Sequence, residues 1–241
     1  MIKQGKYVLE VEGEHIPYLL RRSRRARNLL LHVELDGSVE LVVPWHAPFR
    51  EGLRFIQERG QWLLGQRRRQ AVRQAQVKSI DLVSDTALSV FGEVVQLQVA
   101  VEPKRRKSYR KEHEGILQVT VGNAERIRPQ VEKWYRIRAL AFFKHEVTKL
   151  IVTSGYSPVR IRTNAATTQW GSCNKKTNTL TFNWRLALAP KEVALYVVAH
   201  EVAHLVHTNH SRKFWKLVAS LQPDFEYHRQ WLRRYGHTLS L

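Results

Sequence analysis

The chain has 241 residues and a mass of 28.2 kDa, with 40 Lys and Arg against 21 Asp and Glu, a formal charge of +19 and a pI near 10.5. With 43% hydrophobic and 25% charged residues it can bury the core of one or two domains, which excludes a disordered basic tail. The single cysteine, Cys173, excludes an intramolecular disulfide and a thiolate metal cage, so any metal must be held by histidines and carboxylates.

The charge is +7 through residue 120 and +12 beyond it, so both halves are basic. A phosphate-rich partner or plain solubility would each account for that excess. The opening residues, MIKQGKYVLEVEGEHIPY, lack an apolar run between a basic head and a cleavage site. No stretch approaches the roughly 18 apolar residues of a spanning helix. A cytoplasmic protein with no membrane partner is expected. No repeat with a period of 20 to 50 residues is evident.

In chain order, residues 29–35 and 38–43 alternate apolar and polar around Asp36-Gly37, which predicts a hairpin. Helical spacing follows from Pro48 to about Val77, anchored by Leu53, Ile56, Leu63 and Leu64. Strands are predicted at 87–91, 94–101 and 116–121, with the charged stretch KRRKSYRKEHEG between the last two read as an exposed loop. A helix is predicted over 128–154, stopped by Gly155, and strands at 159–163 and 179–186 bracket TTQWGSCNKKTN. Pro190 opens a further helix, to about Thr208, where its missing N–H costs nothing. The expected architecture is α+β, a β-rich N-terminal domain with helices over 1–124 and a catalytic domain over 125–241.

The chemistry concentrates on that last helix, where His200, Glu201 and His204 spell H-E-x-x-H. Residues four apart on a helix lie one above the other, so two imidazoles converge on one ion and Glu201 leans over its open side. With 11 His and 17 Glu in the chain, chance would supply only about 0.03 to 0.04 such patterns, which argues against coincidence. A tetrahedral catalytic site needs a third ligand, and the candidates are His207 and His210. His207 continues the stripe but lies about 10 Å along the axis from His200. His210 is better placed, because Asn209 tolerates a left-handed turn and Ser211 is a natural N-cap for RKFWKLVASL. Three imidazoles and an open position favour Zn²⁺, with Glu201 as general base for an activated water.

HEVAH followed by TNHS and FW, with the upstream WGSC and NWRLALAP, resembles the YgjP-like metallopeptidase family, which is related to the SprT-like zinc metalloproteases. The resemblance extends to RRSRRARNLLLHVELDGSVELVVP and so covers most of the chain. It implies a zincin-like catalytic domain, one Zn²⁺ on His200, His204 and His210, Glu201 as acid and base, and a protein or peptide substrate. Gln169 departs from the basic residue usual before WGSC. By resemblance to zincins, an extended substrate adds beside an edge strand around 179–186, which makes Trp170, Asn183 and Trp184 candidate substrate contacts. Core packing is the competing fate of those aromatics.

Two rival functions use the same residues: a metal-dependent nucleotide phosphohydrolase, and a nucleic-acid-binding protein with a structural metal. The basic runs at Arg21–Arg27, Arg67–Arg69 and Lys104–Lys107 motivate a nucleic acid or other phosphate-bearing partner. Cys173 has no activating cation beside it in sequence and reads as an inert thiol.

Overall fold

The computed structural model describes residues 5–33, 38–76, 80–154 and 159–241. The chain separates into two compact units, Met1–Val77 and Lys78–Leu241.

In the first unit, β1 (Gly5–Val11), β2 (Glu14–Ser23), β3 (Leu30–Val33) and β4 (Val39–Pro44) form a sheet of order β1-β2-β4-β3. β1/β2 and β3/β4 are antiparallel, while β2/β4 is parallel. Period-two alternation buries Ile16, Tyr18 and Leu20 on β2, against Leu41 and Val43 of β4 and Ile56, Leu63 and Leu64 of two helices. The expected pairing of β3 with β4 is present, while the Asp36-Gly37 turn lies outside the described residues. The single expected helix is two, α1 (Phe49–Glu58) and α2 (Gly60–Gln76), separated at Arg59. Gly60 opens the second helix at a close approach to the sheet: a Cβ there would stand 2.8 Å from Val11 Cγ2, so the helix fits against β1 only without a side chain.

The second unit opens with β5 (Thr86–Val90), β6 (Glu93–Val101), β7 (Tyr109–His113) and β8 (Ile116–Val121), in the order β5-β6-β8-β7. Its directions repeat those of the first sheet: antiparallel, parallel, antiparallel. The hairpin turns match too. Glu12-Gly13, Phe91-Gly92 and Glu114-Gly115 each hold two consecutive positive φ angles, the I′ geometry that suits strand twist. Gly92 follows Gly13 by 79 residues, so this structural repeat lies beyond the 20-to-50-residue periods sought in the sequence. β7 falls inside the stretch expected to be a loop. It is a polar edge strand, and its charged side chains carry no apolar alternation to betray it.

α3 (Ile127–Ser154) then crosses the unit, close to the expected span, with Gly155 outside the described residues. A three-stranded sheet of order β10-β11-β9 follows, from β9 (Arg160–Asn164), β10 (Gly171–Asn174) and β11 (Thr179–Asn183). Next come a 3-10 turn at Trp184–Leu188, α4 (Lys191–Val206), α5 (Arg212–Leu221) and α6 (Phe225–Tyr235). Phe143 of α3 is fully buried and stacks on Phe182 of β11 at 4.4 Å, a burial that contributes about 1.5–3 kcal/mol.

The boundary expected at 124/125 falls between β8 and α3, inside this second unit. The reason is a shared core: Leu88, Leu97 and Val119 of the sheet pack with Val131, Phe143 and Leu180. Tyr135 Oη also donates to Ser89 O at 2.7 Å, and Phe91 N–H to Ala187 O at 2.7 Å. Among the described residues, no helix is long and apolar enough to cross a membrane.

Candidate metal centre

α4 carries His200, Glu201 and His204, as its spacing predicts. It ends at His207 in extended backbone, φ −109° and ψ 115°. Asn209 is not among the residues with positive φ, so the reversal is made without the left-handed turn expected there. Ser211 does cap α5, its Oγ accepting the Phe214 N–H at 3.4 Å. That cap fixes where α5 begins and so holds His210 back over α4.

The three imidazoles converge. Their ring centroids stand 4.9, 5.0 and 4.9 Å apart, and one nitrogen from each lies within 4.8 Å of the others. His200 Nε2 and His210 Nε2 are separated by 3.2 Å. Two nitrogens bound tetrahedrally at about 2.0–2.1 Å would stand about 3.3 Å apart, so the spacing fits one small ion. His207 takes part through its backbone: its carbonyl accepts a hydrogen bond from His204 Nδ1 at 3.0 Å, which leaves Nε2 as the free donor atom.

Charge and packing favour neutral rings at His200 and His204. Burial pushes the His200 imidazole down to about 3, helped by His204, His210 and Arg229. Burial also lowers His204, against the opposing effect of the His207 carbonyl. Phe214 and Trp215 of α5 support the cluster, with Phe214 at 4.6 Å from the His204 ring and Trp215 stacked on His210 at 5.6 Å. Arg229 sits over the Trp215 ring at 4.7 Å.

Glu201 is 5% exposed, and burial raises its carboxyl to about 8. A cation beside it would draw that value down. The residue that makes room for it is Gly171 of β10, where a Cβ would stand 2.5 Å from Glu201 Oε1 and 2.7 Å from Cγ. Sequence reasoning did not single out Gly171. A glycine beginning a strand that crosses the H-E-x-x-H helix is the signal that marks it.

A cleft of about 570 Å³ opens here, lined by Gly171, Ser172, Cys173, Lys175 and Thr208 besides the histidines and Glu201. Its wall is β10, the edge of the sheet, whereas the stretch expected to lie there, Thr179–Asn183, is the central strand β11. Trp170, Asn183 and Trp184 do not line it. Trp170 packs on Gly236, where a Cβ would meet its ring at 2.8 Å. Asn183 is 3% exposed, accepting the Arg185 N–H at 3.1 Å and donating to Ala166 O at 2.7 Å. Trp184 is in the core. Cys173 faces the cleft, but burial and then Glu201 raise its thiol, against Lys175.

Three converging imidazoles beside a buried carboxyl, at the edge of an open cleft, are the donor set that metal-dependent hydrolases use. The chain belongs to the YgjP-like metallopeptidase family, whose metallopeptidase-domain profile matches residues 27–235. Comparison with curated proteins gave no match. Among solved structures, the metallopeptidase zymogen of Pyrococcus abyssi abylysin is similar at 21% identity, over 38% of this chain and 93% of that one, with a TM-score of 0.35. The metallopeptidase zymogen of Methanocaldococcus jannaschii jannalysin is similar at 18% identity, over 38% and 94%, with a TM-score of 0.35.

Proposed function

We propose that the second unit is a zincin-like, zinc-dependent peptidase in which His200, His204 and His210 hold the ion and Glu201 is the general base. The observation that carries this reading is the meeting of three imidazole nitrogens within 4.8 Å, on and beside the helix that bears a buried Glu201. Held by those three imidazoles, zinc would supply Lewis acidity, polarising the attacked carbonyl and lowering the pKa of a water toward neutrality. Glu201 would take a proton from the attacking water on its carboxylate and return it to the leaving amine. The wall of β10 holds Glu201 in one place, and the free edge of that strand offers backbone groups to an extended peptide.

Peptide is favoured over nucleotide because Lys175 is the one Lys or Arg among the described residues lining the cleft. A nucleoside triphosphate needs more positive charge than that. A structural role for the metal is disfavoured because structural zinc sites close with four protein ligands, and this cluster offers three.

The test is reconstitution. Metal-stripped protein given one equivalent of zinc should regain hydrolysis of an unstructured protein such as casein, and His210→Ala should bind zinc at least about 100-fold more weakly. Unchanged zinc affinity in His210→Ala would remove it from the ligand set.

A further inference from the structure

The first unit carries an aromatic side chain among arginines that the metal centre does not use. Residues 15–33 contain Arg21, Arg22, Arg24, Arg25 and Arg27 and no acidic residue. Two of these arginines are committed: Arg21 Nε donates to Glu40 Oε1 at 2.7 Å, and Arg22 donates to the Ala47 carbonyl. Arg24, Arg25 and Arg27 are exposed and form no ion pair among the described residues.

The loop bearing them is shaped from within. Ser23 Oγ accepts the backbone N–H groups of Arg25 and Ala26, each at 3.2 Å. Trp45 is tied to the same point, its N–H donating to Ser23 O at 3.0 Å. Its side chain remains 55% exposed, with the guanidinium carbons of Arg22 and Arg24 at 5.4 and 5.3 Å from the ring. Three cations within four positions, with no ion pair among the described residues, call for a polyanion, and an exposed indole calls for a planar partner. Phosphate-linked unpaired bases satisfy both. An acidic peptide satisfies only the first, and a duplex keeps its base faces stacked.

We propose that the first unit binds single-stranded nucleic acid, with Trp45 stacked on an unpaired base and Arg24, Arg25 and Arg27 on backbone phosphates. The repeated sheet supplies an internal control. Its corresponding connection, between β6 and β7, carries Lys104, Arg105, Arg106 and Lys107, but Arg105 is paired with Glu102 at 2.8 Å. At the residue after β8, where Trp45 follows β4, stands Gly122.

The experiment measures binding of fluorescein-labelled 20-mers of oligothymidylate and oligouridylate by the whole chain, with and without zinc. Tight binding of either strand is expected, and a preference between them tells DNA from RNA. Trp45→Ala should weaken binding about tenfold and Trp45→Phe should recover most of the loss. Charge reversal of Arg24, Arg25 and Arg27 to Glu should abolish tight binding, and their conversion to Gln should reduce the salt slope by about two. Reversal of Lys104, Arg106 and Lys107 should change affinity less than threefold. Loss of affinity confined to under twofold in Trp45→Ala, equal losses from the two charge reversals, equal binding of a duplex, or equal competition by polyglutamate would each overturn the assignment. None of these readings depends on the peptidase activity.

Discussion

Gly171 and Glu201 occupy one space: a methyl group on the glycine would stand 2.5 Å from the carboxylate oxygen of the glutamate. The edge strand β10 therefore passes over α4 at the one residue type that leaves room for the carboxyl, and Glu201 is confined by backbone. Gly171→Ala should move the carboxylate and reduce kcat about 100-fold, the cost of a displacement near 1 Å, while one equivalent of zinc remains bound. Zinc content and hydrolysis measured on the same preparation check this. Wild-type kcat in Gly171→Ala would show that the close approach has no part in positioning Glu201.

His207 and His210 should part company on mutation. His207 touches the cluster through its backbone carbonyl, which His207→Ala keeps, so zinc affinity should change less than about threefold. A competition titration against a zinc chelator reads this directly. A loss as large as that of His210→Ala would make the His207 ring a ligand.

The buried carboxyl gives the metal-free protein a pH dependence. Glu201 is protonated up to about pH 8 in the folded state but ionises near 4.5 when unfolded, so between those values the folded state holds more protons and stability falls as pH rises. His200, pushed down to about 3, has the opposite slope between there and 6.5. Between pH 6.5 and 8, Glu201 acts without that opposition. Urea unfolding of stripped protein should show stability falling by up to about 2 kcal/mol across this interval, with Glu201→Gln flattening the fall. Equal slopes in the two proteins would place the titration elsewhere.

Asn183 is expected to matter for stability and not for substrate. Its side chain caps the turn at Arg185 and reaches Ala166 O, so Asn183→Ala should cost about 1–3 kcal/mol in chemical denaturation. KM should stay within twofold, because Asn183 does not line the cleft. A large rise in KM with unchanged stability would restore it as a substrate contact.

The helix that carries the histidine pair was legible because its pattern is local: His200 and His204 meet through helical spacing alone, and Ser211 announces the next helix four residues after His207 ends α4. What stayed hidden depends on contacts between distant segments. Gly171 has meaning only when β10 lies over α4, and the stretch Thr179–Asn183 looks like a free edge only until β9 and β10 pair on either side of it. β7 escaped because an exposed edge strand needs no apolar alternation, and the repeated sheets escaped because their resemblance is one of strand direction and I′ turns over about 79 residues. The α3 helix, by contrast, was delimited within a residue at its start because its apolar stripe runs for seven turns.

The central claim is that Glu201 moves the proton while the histidines hold the ion. The most direct measurement is casein and nucleoside triphosphate hydrolysis by Glu201→Gln, with its zinc content determined in the same samples. One equivalent of zinc with casein cleavage reduced at least about 1,000-fold, and no triphosphate hydrolysis above background in the wild type, is the predicted result. Wild-type casein cleavage by zinc-loaded Glu201→Gln would contradict it.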